Sequence, residues 1–151
     1  MLIEVKVKVA RIVDGKTKKR TETYLVADCE LFSNAEYRVM SSLIHEQEEG
    51  IVSSSEIVSL RQSPIKEICE ETMPGSALTF IVTLRDIFHD DDGNEKSLRY
   101  KVLLWANDLS QANERAHHLV HQGYDMQIEG IKEVDYEYLV EQTNQEEEDV
   151  R

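Results

Sequence analysis

A short segment of this chain recurs 77 positions downstream, and this recurrence constrains the fold more than any other feature of the sequence. Residues 32–39 read FSNAEYRV, and residues 109–116 read LSQANERA. The two segments share a serine, an alanine and an arginine at matching positions, which are Ser33 and Ser110, Ala35 and Ala112, and Arg38 and Arg115. Recurrence at a fixed interval indicates a structural unit that is present more than once. The sequence therefore predicts two copies of one small unit.

The residues that precede each segment also match. A strand-like run with the pattern Tyr-x-Val comes before each segment and begins at Tyr24 in the first copy and at Tyr100 in the second. Asp14-Gly15 and Asp92-Gly93, which are typical of hairpin turns, precede these runs. Apolar and polar residues alternate before each turn, as they do in strands with one buried face. Each copy is therefore predicted to begin with a β-hairpin, and the first hairpin is predicted to have a long basic tip that ends at Thr23.

A helix is predicted after each hairpin. Ser33 is expected at the N-cap of the first helix, with Glu36 completing a capping box, and Ser110 is expected to cap the second. Gly50 and Gly123 are the expected ends of the two helices. Each helix has one apolar stripe at positions i, i+4 and i+8, which consists of Ala35, Val39 and Leu43 in the first copy and of Ala112, Ala116 and Val120 in the second.

One strand after each helix completes a β-β-α-β order. We predict an α+β fold that is a tandem duplication of this unit, with a mainly antiparallel sheet and two helices packed on it. The two units are expected to form one globular domain, because neither is long enough to bury a sufficient core alone. Residues 53–55 are expected to be a short polar link. The predicted division is a first unit at 1–69, a linker at 70–76, a second unit at 77–140 and an acidic, disordered tail at 141–151.

Charge is distributed unevenly along the chain. The 151 residues have a net charge of −13, but residues 1–26 hold seven basic and three acidic side chains and are therefore +4, which leaves −17 for the rest. A negative field of this size repels nucleic acid, so any nucleic-acid contact is expected through the first hairpin alone. The basic tip of that hairpin could follow a phosphate backbone, or it could protect an exposed strand from pairing with other chains.

Cysteine content and hydropathy indicate a cytoplasmic protein. Cys29 and Cys69 are far apart and lack the spacing of metal ligands, so both are expected to be reduced and buried. The sequence has no apolar run near the length that spans a bilayer. Met1 is followed directly by a strand pattern rather than by a signal peptide.

Three local patterns suggest a ligand, but each has a simpler explanation. Residues 90–94, DDDGN, lack the carboxylates that a calcium loop needs at its first and twelfth positions, so a polar turn is expected. His117, His118 and His121 cluster on the second helix, but zinc would need further ligands from elsewhere. Residues 15–17 resemble the end of a phosphate-binding loop but lack its leading glycine. We therefore predict no catalytic residues, no metal and no cofactor.

The beginning of the chain resembles an uncharacterised protein family. The residues that carry the resemblance are EVKVKV at 4–9, KKRTETYLV at 18–26 and FSNAE at 32–36. They are similar to the domain-of-unknown-function family numbered 4494, which is found in gut bacteria and in their phages and mobile elements. The resemblance is clear over roughly the first 45 residues and looser beyond them. It implies no activity and no catalytic residues, but it implies a small cytoplasmic protein encoded by a phage or mobile element.

The leading functional hypothesis is a non-enzymatic binding or accessory protein. Its acidic surface would contact a host or phage protein, as a mimic of nucleic acid or a modulator of a host factor. Opposite charges on the two hairpin tips would also allow contacts between copies of the chain, so a homo-oligomer is a further expectation. The residues expected at the partner contact are Asp90, Asp91, Asp92, Glu146, Glu147, Glu148 and Asp149.

The alternative hypothesis is a protein that binds single-stranded nucleic acid. Bases would stack on Tyr24 or Trp105, and the acidic tail would compete for the same groove. The cations expected to contact the phosphates are Lys16, Lys18, Lys19 and Arg20. A third hypothesis, a small-molecule pocket between the two units, also stays open.

Overall fold

The computed structural model describes residues 1–120 and 126–139, and this part of the chain has the predicted α+β architecture. It forms two compact units: Met1–Ser63 together with the segment from Tyr136, and Pro64–Asp135. Each unit has one α-helix and one four-stranded, mostly antiparallel sheet. In chain order the elements are β1 (Ile3–Val13), β2 (Lys16–Val26), α1 (Phe32–Glu48), β3 (Val52–Gln62), β4 (Ile65–Ile68), a short 3-10 helix (Glu70–Thr72), β5 (Leu78–His89), β6 (Glu95–Ala106), α2 (Leu109–Val120), β7 (Met126–Val134) and β8 (Tyr136–Leu139).

The first hairpin reverses direction within two residues. Asp14 and Gly15 both have positive φ angles, of +52° and +75°, as a type I′ turn requires. Val13 therefore lies directly opposite Lys16, and β1 and β2 pair up to the turn. The prediction of a long basic tip is wrong in its geometry, because residues 16–20 belong to β2.

The core of the first unit lies between α1 and one face of its sheet. Side chains of a strand alternate between the two faces, so one row of β1 is buried as a set. This row consists of Ile3, Val5, Val7 and Val9, each no more than 2% exposed. Ala35, Val39 and Leu43 of α1 join the same cluster and are fully buried, which confirms the predicted apolar stripe.

The predicted N-caps are wrong in both copies, by the same two positions. Leu31 occupies the N-cap of α1, and its side chain has no atom that can accept a hydrogen bond. Asp108 caps α2, where its Oδ1 accepts a hydrogen bond from the N–H of Gln111 at 2.7 Å. An aspartate is as good an N-cap as a serine. Ser33 and Ser110 consequently lie inside the first helical turns.

The end of α1 confirms the predicted stop at Gly50. Gly50 has a φ of +77° and donates its N–H to the carbonyl oxygen of Gln47, while Ile51 donates to that of Glu46. This pair of hydrogen bonds is a Schellman motif, which favours glycine at the left-handed position. Residues 53–55, expected as a link, are instead part of β3. Gly123 lies outside the described residues.

The second unit repeats the plan with a longer turn. β5 and β6 pair from Leu78 opposite Ala106 to His89 opposite Glu95, so five residues form the loop. Ala112 and Ala116 of α2 are fully buried. They pack with one face of the sheet in a core that includes Phe80, Val82, Leu84, Val102 and Leu104.

The longer turn also changes which residues correspond in the two copies. Tyr24 lies opposite Val5, whereas Tyr100 lies opposite Leu84. The residue 77 positions after Val5 is Val82, and its partner across the hairpin is Val102. The match between the two Tyr-x-Val patterns is therefore not a structural equivalence.

The two sheets exchange their fourth strands. The first sheet has the order β3-β1-β2-β8 and the second has the order β7-β5-β6-β4. β4 follows the first unit in sequence but pairs in parallel with β6, and β8 follows the second unit but pairs in parallel with β2. This shared plan supports the tandem duplication. The segment expected as a linker, 70–76, contains the 3-10 helix, and the tail expected at 141–151 lies outside the described residues.

The repeated arginines have a structural role. Arg38 and Arg115 each donate hydrogen bonds from the helix to the end of the second hairpin strand and to the segment of the exchanged strand. All four acceptors are backbone carbonyl oxygens, which need a donor once they are buried. They belong to Ala27 (2.6 Å) and Leu139 (3.4 Å) for Arg38, and to Trp105 (2.5 Å) and Thr72 (3.3 Å) for Arg115.

Candidate functional site

The first sheet has one face that α1 does not cover, and exposed cations lie on it. The odd-numbered residues of β1 from Ile3 to Val9 face α1, so the even-numbered residues of this strand point to the other side of the sheet. Residues opposite one another in paired strands share a face, which extends this assignment to β2 and β3. Lys6 and Lys8 of β1, Lys19 of β2 and Arg61 of β3 lie on this helix-free face, and all four are exposed. We call these four residues the basic face.

Two carboxylates of β1 and β3 lie among these cations. Glu4 is only 2% exposed and accepts a hydrogen bond from Arg61 Nη2 at 3.0 Å. Glu56 lies opposite Lys8 across the β1–β3 pair. Four cations and two carboxylates leave this part of the face with a net charge of +2, in a chain whose net charge is −13.

The hairpin end extends the positive charge. Lys16 and Lys18 lie opposite Val13 and Arg11, on the other face of β2, and both are exposed. Arg20, the fourth member of the predicted nucleic-acid contact, is in an ion pair with Glu22, with Nε 2.5 Å from Oε2. Three of the four predicted cations are therefore exposed on β2, namely Lys16, Lys18 and Lys19. Arg20 is instead in an ion pair with Glu22 of the same strand.

Glu22 is the centre of a polar network that closes one end of the first core. Arg11 binds both of its carboxylate oxygens, and Tyr24 donates its hydroxyl to Oε1 at 3.0 Å. Arg11 Nη1 also reaches Glu46 of α1 at 2.5 Å, so the network joins the hairpin to the helix.

The network fixes the ionisation of Glu22. Burial opposes ionisation, but hydrogen bonds from Arg11, Arg20 and Tyr24 outweigh it and hold the pKa of Glu22 at about 2. The hydrogen bonds that Arg11 donates to Glu22 also raise the pKa of Arg11 above its ordinary value. Arg20, Glu22 and Tyr24 alternate along one strand, but no pattern in the sequence indicates that Arg11 and Glu46 join them, because these two are distant in sequence.

The two aromatic residues expected to stack on bases are buried. Tyr24 is 3% exposed and Trp105 is 6% exposed, so neither presents a ring face at the surface. Tyr136 and Tyr138 of β8 are half-buried and lie on the same side of the first sheet as the basic face. Tyr136 is in one row with Thr23 and Lys6. The sequence gives no sign of this arrangement, since the pairing of β2 with β8 joins residues more than 100 positions apart.

A second group of cations lies on the helix-free face of the second sheet. Arg85 and Arg99 are directly opposite one another on β5 and β6. Lys101 lies in the next row and Lys132 on β7, and Glu129 of β7 forms ion pairs with both arginines. None of these residues was singled out from the sequence, because only the pairing of three strands brings them together.

The structure describes only the first part of the predicted acidic contact, residues 90–92. Asp90 Oδ1 accepts hydrogen bonds from the backbone N–H groups of Asp92 (3.0 Å) and Asn94 (2.9 Å), so this side chain fixes the turn. Asp91 and Asp92 are exposed on that turn. Residues 146–149 lie outside the described residues.

The histidines of α2 are on its exposed side. His117 and His118 are both exposed, and His117 Nδ1 is 2.8 Å from the carbonyl oxygen of Asn113. His121 lies outside the described residues. Within residues 1–120 and 126–139, no three His, Cys, Asp or Glu side chains are close enough to hold a metal ion.

The second unit also has an open groove and a buried thiol. The groove, of about 560 Å³, lies between α2 and β7 and is lined by Leu109, Ile128 and Ile131, among others. Cys29 and Cys69 are free and buried, as predicted. Burial raises the pKa of the Cys69 thiol to about 12, so this thiol is protonated at neutral pH and is a poor nucleophile.

Comparison with known proteins places the chain in a family. In the described part of the chain, neither helix is long and apolar enough to cross a membrane. No curated protein and no solved structure matches this sequence. A family model described as a domain of unknown function, DUF4494, matches residues 1–143. Because this match spans nearly the whole sequence, the chain belongs to the DUF4494 family.

Proposed function

We propose that the protein binds single-stranded nucleic acid through the basic face of the first sheet and the adjoining end of the first hairpin. The observation that supports this most is the concentration of exposed cations there, with Lys16 and Lys18 on the opposite face of the strand that carries Lys19. Lysines at an exposed surface attract phosphates and release the counterions bound to them, which drives association. The negative charge elsewhere on the chain disfavours binding at its acidic surfaces.

The preference for single strands comes from the tyrosines of β8. Tyr136 lies one strand from Thr23 and two strands from Lys6 in the same row, and neighbouring strands are about 4.8 Å apart. A base could therefore stack at the sheet edge while its phosphate contacts the lysine. Sheet faces that combine aromatic side chains with cations bind unstacked, single-stranded nucleic acid, whereas the bases of a duplex are already stacked on one another.

The direct test is a titration of a labelled single-stranded oligonucleotide at several salt concentrations. Five lysines, at positions 6, 8, 16, 18 and 19, would each neutralise one phosphate. These five contacts alone are expected to contribute about −3.5 to the slope of log affinity against log salt, at roughly 0.7 per contact. A duplex of the same sequence should bind more weakly. Absence of binding at low salt would refute the proposal.

A charge-reversed variant locates the surface. Replacing Lys6, Lys8 and Lys19 with glutamate should weaken binding by about 100-fold or more at low salt and should make the slope shallower by about 2. Lys96→Glu is the matched control, since Lys96 is exposed but lies on the opposite face of the second sheet from the arginines. If each substitution of the triple variant weakens binding no more than the single control substitution does, the basic face is not the contact.

A second candidate function is a protein contact at the acidic turn. The support for it is the rigid presentation of Asp91 and Asp92 on a loop that Asp90 holds in place. A basic protein partner could recognise this pair by charge complementarity, without any catalysis. Substitution of both aspartates by asparagine should abolish capture of such a partner and leave oligonucleotide binding intact. Capture that survives the substitution would remove this candidate.

We also propose where the protein acts. Two free, buried thiols fit a reducing compartment, so the cytoplasm of a bacterial host is the proposed location. Encoding by a phage or mobile element, which the family resemblance implies, is part of the same proposal. Fractionation of producing cells would test the location, and recovery from the periplasm or the medium would contradict it.

A further inference from the structure

The helix-free face of the second sheet concentrates positive charge on adjacent strands. Arg85 and Arg99 face one another across β5 and β6, and Lys101 is two residues from Arg99 on the same face. Lys132 lies opposite Ile81 on β7, also on this face. Arg99, Lys101 and Lys132 are exposed and Arg85 is partly exposed. We call these four residues the second-sheet cluster.

Two like charges directly opposite one another destabilise a sheet unless something offsets them. A β-bulge provides the offset here. Thr83 pairs with Gly130 and Leu84 pairs with Ile128, so Glu129 is the extra residue of β7. Its carboxylate lies 2.8 Å from Arg99 Nε and 3.8 Å from Arg85 Nη1. One carboxylate against four cations still leaves a charge of +3.

One donor of the cluster lacks an acceptor. Arg85 Nε is buried and has no hydrogen-bond partner within the described part of the chain. Because this Nε atom is buried, a ligand would reach Arg85 through the exposed part of its side chain. Gly130 is in the adjacent row, where a Cβ would meet no atom within 4 Å, so the surface beside Thr83 is open. The face beside the cluster is therefore open to solvent at this position.

We propose that the second-sheet cluster is a phosphate-binding subsite that contacts phosphodiester groups of single-stranded nucleic acid. This inference rests on the proposed function and extends it to the second unit. Guanidinium groups bind phosphate oxygens in a two-pronged geometry that lysine cannot reproduce. At equivalent positions the first sheet has Lys8 opposite Thr21 and the second has Arg85 opposite Arg99. Only the second sheet therefore offers guanidinium groups to a phosphate at this row. The ion pairs with Glu129 keep the two arginines side by side before the ligand arrives.

The first test removes charge that Glu129 does not pair. The double variant Lys101→Glu, Lys132→Glu leaves the ion pairs of Arg85 and Arg99 in place, so the fold should persist, which circular dichroism would check. Binding of an oligonucleotide of about 30 nucleotides should weaken at least tenfold, and the salt slope should become shallower by about 1.4, which corresponds to two contacts. Lys96→Glu is again the control for net charge.

The outcomes separate this inference from the proposed function. If the basic-face variant weakens binding but Lys101→Glu, Lys132→Glu behaves like the control, the second-sheet subsite is refuted and the proposed function stands. If the wild-type chain binds no oligonucleotide, both are refuted. Loss of affinity in both variants, each with its own reduction in salt slope, supports both.

A second test observes the donor itself. The Nε–Hε signal of Arg85, assigned by its absence in Arg85→Lys, should shift when an oligonucleotide is added, because a phosphate bound at the guanidinium group changes the surroundings of this N–H. Inorganic phosphate alone should shift it less at the same phosphate concentration if a phosphodiester strand is the ligand. An equal response to inorganic phosphate would show a general anion site, and no shift at saturating oligonucleotide would overturn the subsite.

Discussion

Glu22 shows how a single residue can join the elements of the first unit. Its carboxylate is 6% exposed and is shared by Arg11, Arg20 and Tyr24. A charge this deeply buried is tolerated because hydrogen-bond donors on the hairpin surround it. Removing one member of such a buried ion pair leaves the charge of the other uncompensated. The residue is therefore part of the scaffold that holds the basic face, rather than part of the contact itself.

We predict that Glu22→Gln destabilises the protein. The amide cannot neutralise Arg11, whose side chain is 16% exposed and would keep Glu46 as its ion-pair partner. Loss of a buried ion pair of this kind costs about 3 kcal/mol. Urea denaturation would measure the change, with Glu56→Gln as the exposed control. A cost below about 1 kcal/mol would mean that the network contributes little.

The ionisation of Glu22 should also make the free energy of unfolding depend on pH. The pKa of Glu22 is lowered in the folded chain from an ordinary 4.5 to about 2, so its contribution is complete above about pH 4.5 and is lost as the pH falls towards 2. A shift of this size corresponds to roughly 3 kcal/mol. The difference in unfolding free energy between wild type and Glu22→Gln should therefore shrink across this range. A difference that stays constant from pH 6 to pH 2.5 would contradict the ionised state assigned here.

At the scale of elements, each helix is anchored by an arginine rather than by packing alone. Arg38 and Arg115 are 77 residues apart and bind equivalent backbone carbonyls in their own units. The conspicuous recurrence in the sequence is thus explained by structure. Differences between the copies, such as Arg99 and Lys101 in place of Thr21 and Thr23, are where ligand binding is proposed.

We predict that Arg38→Met and Arg115→Met have similar costs. Methionine keeps most of the aliphatic length but removes every donor, so the carbonyl oxygens of Ala27 and Trp105 lose a charged donor. Each variant should lose about 2 kcal/mol of unfolding free energy. Lys96→Met, an exposed change of the same kind, should cost less than about 0.5 kcal/mol. A large cost in one unit and none in the other would argue against equivalent roles.

The tight turn gives a matched pair of glycine substitutions. Gly15→Ala places a Cβ at a φ of +75°, which should cost about 1 kcal/mol. Gly130 has no positive φ and open space where its Cβ would lie, so Gly130→Ala should be nearly neutral for stability. Thermal denaturation of both variants would check this, and equal costs would mean that the turn is not of the assigned type.

At the scale of the whole molecule, the sequence predicts features that depend on neighbouring residues, but it does not predict which distant strands pair. The stripe of Ala35, Val39 and Leu43 and the stop at Gly50 follow from helix periodicity and from backbone preference, which act within a few residues. The capping-box pattern at Ser33 misplaced the helix start, because Ser-x-x-Glu also fits inside a first turn. The pairing of β8 with β2 has no local signature, so Tyr136 could not be placed beside Lys6.

We predict that the exchanged strand β8 stabilises the first sheet selectively. Ala27 donates its N–H to the carbonyl oxygen of Leu139, so the backbone groups of Glu137 and Leu139 are the ones that face β2. Glu137→Pro therefore removes a backbone donor on the β2 side and disfavours this pairing. Amide hydrogen exchange at Leu25 and Ala27 should accelerate at least tenfold, whereas Phe80 in the second sheet should keep its protection. Glu137→Thr, which preserves strand propensity, is the control. Equal acceleration in both sheets would show that β8 does not act through its own sheet.

The exchange of strands also sets the order in which a newly synthesised chain can be completed. A nascent chain that has emerged from the ribosome as far as Asp135 holds all four strands of the second sheet but only three of the first. The amino-terminal sheet, although translated first, must wait with an unpaired edge until Tyr136–Leu139 arrives. An unpaired edge strand invites pairing with other chains, and the stretch that β8 later covers, residues 23–26, has no charged side chain to prevent it, so this edge is open to such pairing during the interval.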